Sequence, residues 1–162
     1  MQLAEHGMVL VEPVGAANSY RLNREHFLVG PALELLGSID RLEAALGAGL
    51  RGWAVPSAGC ALFGSAARRD GSTQSDLDVL VLRPVGVGVD DPIWRSQLDD
   101  LASQAHRWTG NVLSWVEFDT RTFARMISAT DPLVSELRRD AKWLIEPSPT
   151  IATALSAVPR SA

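Results

Sequence analysis

The chain has 162 residues, 46% of them hydrophobic and 21% charged, with a formal net charge of −4; this composition supports a packed core and excludes wholesale disorder. No apolar stretch reaches the roughly 20 uncharged residues of a membrane span, the start Met1-Gln2-Leu3-Ala4-Glu5-His6 lacks the basic and apolar regions of a signal peptide, and the lone Cys60 cannot build a disulfide framework or a Cys-based zinc site. A soluble cytoplasmic protein with no membrane partner is therefore expected, and its acidity excludes a strongly basic, nucleic-acid-coating protein.

Leu3-Ala4-Glu5-His6-Gly7 reads as a last helical turn closed by glycine. Met8–Val14 is apolar and β-rich, Gly15–Asn18 supplies a turn, and Ser19–Asn23 alternates as a returning strand, so a hairpin is predicted. From Phe27 to Leu50, Leu33, Leu36, Ile39, Leu42, Leu46 and Leu50 fall at helical spacing, with Pro31 tolerated in the first turn and Gly37 weakening the middle. Ser57–Phe63 is a small-residue strand that runs into Gly64-Ser65, and Ala66–Asp70 opens a short helix. Leu77–Leu82 is a second, nearly continuous apolar strand. Ile93–Trp108 reads as a helix, Val112–Phe118 as a third strand, and Thr120–Ser128 and Leu133–Ile145 as helices, the latter introduced by Asp131-Pro132. After Pro147 the chain is Ser/Ala/Pro-rich and is expected to be loose. Helix and strand alternate, which is an α/β order.

One stretch carries chemistry. Asp76 and Asp78 stand two apart at a strand start, so their side chains point to the same face. Two adjacent carboxylates repel unless a cation sits between them, and oxygen-only ligands suit Mg²⁺ or Mn²⁺ rather than zinc. Gly64 lets the backbone turn close to a ligand. Ser65 stands at a helix start, where free N–H groups attract phosphate, and Arg68 and Arg69 are one turn further on. A phosphate cradle beside metal-binding carboxylates is equipment for phosphoryl or nucleotidyl transfer. The five tryptophans are expected as core or cleft lining, and Cys60 as an inert core residue.

Phe63-Gly64-Ser65, the ten residues from Ala66 to Ser75, and then Asp76-Leu77-Asp78-Val79, with a Ser before the first Asp, resemble the nucleotidyltransferase superfamily of DNA polymerase beta and kanamycin nucleotidyltransferase, and most closely its minimal bacterial members. The resemblance implies an α/β (α+β) nucleotidyltransferase fold, a mixed sheet flanked by helices, with Mg²⁺ (or Mn²⁺) as cofactor and a nucleoside triphosphate as donor. By position, Gly64 and Ser65 hold the triphosphate, Arg68 assists, Ser75 precedes the acids as a nucleotide-binding residue, and Asp76 and Asp78 bind metal. The family's third carboxylate lies on a later strand, where Val116-Glu117-Phe118 is the nearest fit, so Glu117 is the expected catalytic base. If that strand is registered from Gly110-Asn111 instead, Ser114 or Leu113 takes the place, leaving a nucleotide binder with little or no transfer.

Leu3–His26 resembles the end of a winged helix-turn-helix regulator, its β-wing included. The expected organisation is a wing remnant over 1–26, a long linking helix over 27–52, a nucleotidyltransferase domain over 53–147 and a loose tail over 148–162. A wing without its recognition helix cannot read bases, and residues 1–50 carry three Arg against six acids, so weak or no DNA binding is expected. Leu3, Met8, Leu10, Val11, Tyr20 and Leu22 would form an apolar patch, through which the hairpin packs on the long helix or on a second copy as a homodimer. The leading functional expectation is transfer of a nucleoside monophosphate to an unidentified acceptor hydroxyl. The alternatives are a nucleotide-binding regulatory or toxin–antitoxin module without turnover and, ranked below both, a DNA-binding regulator.

Overall fold

Three helices begin on an aspartate whose carboxylate takes up the free amides of the first turn. Asp91 accepts from the amides of Ile93 (3.0 Å) and Trp94 (2.9 Å) and starts α5, Pro92–Thr109. Asp119 accepts from the Thr122 amide (2.8 Å) and starts α6, Thr120–Ser128; that bond holds its carboxyl below the ordinary value. Asp131 accepts from the Leu133 amide (2.9 Å) and starts α7, Pro132–Asp140. Proline occupies the first turn of α5 and α7, and Gly110, at φ +77°, closes α5. The computed structural model describes residues 2–70 and 75–157. The chain divides between Arg41 and Leu42 into two units.

The smaller unit holds α1 (Gln2–Glu5), the strands β1 (Val9–Val14) and β2 (Ala17–Leu22), α2 (Val29–Leu36) and the first turn of α3 (Ser38–Arg51). β1 and β2 pair antiparallel, with Val14 opposite Ala17. The turn is therefore Gly15-Ala16, shorter than Gly15–Asn18. Gly15 at φ +61° suits the first central position of a two-residue hairpin turn. Leu3, Val11, Tyr20 and Phe27 are exposed in this unit. The continuous helix expected over 27–52 is two helices, α2 and α3, because the chain breaks at Gly37 (φ −77°, ψ 0°).

The larger unit is a four-stranded mixed sheet flanked by helices, with strand order β5-β4-β3-β6. Strand β3 (Gly59–Phe63) runs antiparallel to both neighbours, β4 (Leu77–Arg83) and β6 (Lys142–Ile145), and β4 runs parallel to β5 (Leu113–Asp119). The short α4 (Gly64–Arg68) follows β3, and α8 is Pro149–Ala157. One sheet face, with Cys60, Leu62, Val79 and Val81, packs against Leu42, Leu46 and Leu50 of α3 and Trp94, Leu98 and Leu101 of α5. The other, with Ala61, Phe63, Leu80 and Leu82, packs against Phe123 and Ile127 of α6, Val134 and Leu137 of α7, and Ile151 and Leu155 of α8. Trp94 is fully buried and Trp53 meets it edge-on at 5.4 Å, whereas Trp108 is exposed. Cys60 is fully buried, which pushes its thiol pKa up and leaves it unreactive. No helix among the described residues is long and apolar enough to cross a membrane.

Two expectations fail here. The helix expected to reach Ile145 ends at Asp140, where Ala141 turns extended (ψ 134°), and residues 142–145 become the edge strand β6. Its partners are Ala61, opposite Trp143, and Cys60, opposite Ile145; long-range pairing overrides a helical spacing that Leu137 and Leu144 also satisfy. The tail is not loose over 149–157, where α8 buries Ile151 and Leu155. Residues 158–162 lie outside the described residues, as do 71–74 within the Gly-Ser to Asp-x-Asp segment.

Candidate active site

The C-terminal end of β3 and the start of β4 meet because the two strands are antiparallel, with Phe63 opposite Asp78. The chain leaves β3 at Phe63 in extended backbone (φ −142°) and enters α4 through Gly64 at φ +68°. Two features favour glycine at this turn. The left-handed conformation disfavours any residue with a Cβ, and a Cβ built there would lie 2.6 Å from Oδ2 of Asp78. Asp78 thus lies directly against the turn that opens α4. Ser65 is the second residue of that helix, and its carbonyl accepts from the Asp70 amide at 3.1 Å.

Asp76 and Ser75 precede β4. The Ser75 carbonyl accepts from Nδ2 of Asn111 at 2.7 Å, and Oδ2 of Asp76 accepts from the Ser114 hydroxyl at 3.5 Å. Ser114 is also the β5 residue opposite Asp78. Lateral partners in a sheet share a face, so the structure brings Gly64, Asp76, Asp78 and Ser114 together.

Burial raises the Asp78 carboxyl pKa above its ordinary value, and the negative charges of Asp76 and Glu136 raise it further. Among the described residues neither Asp76 nor Asp78 forms an ion pair. Two unneutralised carboxylates beside a backbone turn fit a hard divalent cation. Mg²⁺ binds typically through one or two carboxylates and completes its shell with water and substrate phosphate. The described residues hold no group of three or more His, Cys, Asp or Glu able to hold a metal by themselves.

Arg68 reaches away from this pair of acids. Its Nε donates to Oδ2 of Asp70 and its Nη1 to Oδ2 of Asp140, both at 3.0 Å. The Asp140 carboxylate, 8% exposed, also accepts from Arg139 (2.9 Å). Hydrogen bonds from Arg139 first and Arg68 second hold its pKa below the ordinary value. The end of α7 is thereby tied to α4.

Glu117 does not join the site, and its expected role as catalytic base is corrected by the register. It pairs laterally with Val81, three positions beyond Asp78 along β4. Three positions is an odd number, so Glu117 faces the opposite side of the sheet, about 10 Å further along the strand. There Oε1 accepts from Nε of Arg83 (2.8 Å) and Nε1 of Trp94 (3.0 Å), and Oε2 from Nη1 of Arg95 (2.9 Å). Arg83 also donates to the Val87 carbonyl. This carboxylate clamps the β4–α5 connection onto β5.

No family model matches the chain, and no curated protein does. The chain is similar to two solved structures. One is a crystal structure of a toxin–antitoxin with AMP-PNP, at 18% identity and a TM-score of 0.47, covering 70% of this chain and 81% of that one. The other is a crystal structure of the toxin–antitoxin MntA–HpeT carrying two Asp-to-Glu changes, at 17% identity and a TM-score of 0.46, covering 70% and 80%.

Asn111 is the site residue that reading the motifs one by one passes over. Its signal is positional. It follows the glycine that ends α5, at the entry to β5, and counting three residues on from it reaches Ser114, opposite Asp78.

Proposed function

We propose that this chain is a divalent-cation-dependent nucleotidyltransferase that moves a nucleoside monophosphate from a nucleoside triphosphate to an acceptor hydroxyl. The observation that carries the reading is the contact at Gly64, where a left-handed glycine turn at a strand–helix junction lies against the Asp78 carboxylate, a Cβ there standing 2.6 Å from its Oδ2. In this reading Asp76 and Asp78 hold Mg²⁺ or Mn²⁺, and the amides of Gly64 and Ser65 face the triphosphate. The cation, when bound, supplies Lewis-acid polarisation of the phosphoryl oxygens. The chain's own part is to bind and orient: the glycine turn brings phosphate close to the carboxylates, and Ser114 and the Ser75 carbonyl's partner steady Asp76.

A second reading, a nucleotide-binding regulatory or toxin–antitoxin module with little turnover, is favoured by one observation. The β5 position opposite Asp78 is Ser114, and the acid expected as general base lies on the other face. A serine hydroxyl is a poor base at neutral pH.

The test is incubation with each of the four α-labelled ribonucleoside triphosphates, Mg²⁺ and cell extract, beside an Asp76→Asn/Asp78→Asn variant. Label transferred by the wild type and lost in the variant supports the enzyme. Nucleotide binding by calorimetry with no labelled product selects the binding module. Neither binding nor transfer refutes both readings.

A further inference from the structure

We infer that Asn111 is a positioning residue for Asp76, acting through the Ser75 carbonyl, with Ser114 as its companion on β5. The inference rests on the reading of Asp76 as a cation ligand. Asp76 lies just outside the β-ladder: β4 begins at Leu77, whose amide donates to the Val112 carbonyl at 2.8 Å. One step earlier the ladder of β4 and β5 shows no further backbone rung among the described residues, where the segment that enters β5 turns at Gly110, φ +77°. The Asn111 side chain supplies the missing rung. Its Nδ2 donates to the Ser75 carbonyl at 2.7 Å, the position a backbone amide would take if β5 began earlier.

Asn111 is itself held in place. Its amide donates to Oγ1 of Thr109 at 3.1 Å, and that hydroxyl donates to the Ala105 carbonyl at 2.8 Å. The Asn111 carbonyl lies 3.2 Å from Nδ1 of His106. Two turns of hydrogen bonds at the end of α5 therefore anchor one side-chain amide, and that amide anchors the backbone that carries Asp76. Further along β5 the Ser114 hydroxyl donates to the Asp76 carboxylate itself. Backbone and side chain of the acid-bearing segment are both steadied from β5, which is how groups outside a metal's own ligands tune its affinity.

The experiment compares wild type, Asn111→Ala, Asn111→Ser, Ser114→Ala and Ser114→Thr. Amide hydrogen exchange of the metal-free proteins reads the positioning without any cation. Asn111→Ala and Asn111→Ser should speed exchange at Leu77 by about tenfold while leaving Val79, deeper in the ladder, unchanged. Calorimetric titration with Mn²⁺ reads the consequence. Affinity should fall about tenfold in Asn111→Ala and in Ser114→Ala, and Ser114→Thr, which keeps the hydroxyl, should restore it. Unchanged exchange at Leu77 overturns the inference whatever the metal does. Altered exchange with wild-type Mn²⁺ affinity in both alanine variants overturns its functional half. A wild type that binds no Mn²⁺ refutes the cation site instead, while the exchange result still judges the positioning of Asp76.

Discussion

Replacing Gly64 by alanine separates the stability of the fold from the geometry of its site. The backbone at φ +68° costs a non-glycine residue about 1–2 kcal/mol, which for a chain of this size lowers the melting temperature by about 2–8 °C. The added methyl meets Oδ2 of Asp78 at 2.6 Å, but the Cγ and Cβ of that side chain at 3.5 and 3.6 Å. Only the carboxylate end must retreat, by about 1 Å to reach an ordinary contact distance. Rotation of one side chain is energetically cheap, so most of the stability loss is backbone strain. The site is less forgiving, because metal–ligand distances tolerate about 0.2 Å. Mn²⁺ affinity in the presence of a non-hydrolysable nucleoside triphosphate should fall more than tenfold in Gly64→Ala, read by titration calorimetry beside a thermal melt. Gly86→Ala is the control: φ is +91° and nothing lies within 4 Å of its Cβ position. It should lower the melting temperature comparably and leave the titration unchanged. In an Asp78→Ala background the steric part of the Gly64→Ala cost should vanish, since the two residues touch. Equal Mn²⁺ affinity in folded Gly64→Ala and wild type would refute the placement of Asp78 against the glycine turn as the basis of the site.

Other expectations follow from the same geometry. Burial, Asp76 and Glu136 raise the pKa of Asp78 in the fold, so its ionised form opposes folding at neutral pH and the penalty fades as pH falls through the raised value. Metal-free Asp78→Asn should therefore melt above the wild type at pH 8, converge with it in acid, and show no stabilisation by Mn²⁺. Glu117→Ala leaves Nε of Arg83 and the Trp94 indole without their acceptor; it should cost about 2–3 kcal/mol in denaturant unfolding and change Mn²⁺ affinity less than about twofold, since it acts on the other sheet face. Asp140 is the reverse case of Asp78. Its pKa is lowered by Arg139 and Arg68, so its contribution is present above the ordinary carboxylate range and lost as pH falls through the lowered value. Asp140→Asn should melt below the wild type at pH 7, with the difference closing in strong acid.

The contrast between Glu117 and Ser114 turns on parity. Both lie on β5, and both were within reach of a reading that assigns a third acid to a later strand. A β-strand alternates faces at every residue, so a register shift of one exchanges every side chain between the two sides of the sheet. Pairing Asp78 with Ser114 sends Glu117 to the face of Trp94 and Arg95, where it is a clamp.

Local chemistry alone determined much of this protein. The cap at Asp131, the glycine stops and the apolar runs of β3 and β4 mark their elements within a few residues, because capping and turn preferences act over one turn of chain. The Gly64-Ser65 and Asp76-Leu77-Asp78 pairing was legible for the same reason, since each half is a short-range backbone requirement. Tertiary structure decided what depended on partners far away in the chain. Whether Lys142–Ile145 is helix or strand rests on the free edge of β3, and whether 149–157 is loose rests on the apolar face that α6 and α7 leave for Ile151 and Leu155. The fate of Glu117 rests on a register between strands separated by the whole of α5. No run of residues encodes that register by itself; it emerges from burying Leu80 and Leu82 on one face and Val79 and Val81 on the other, and the charges must take the places that remain.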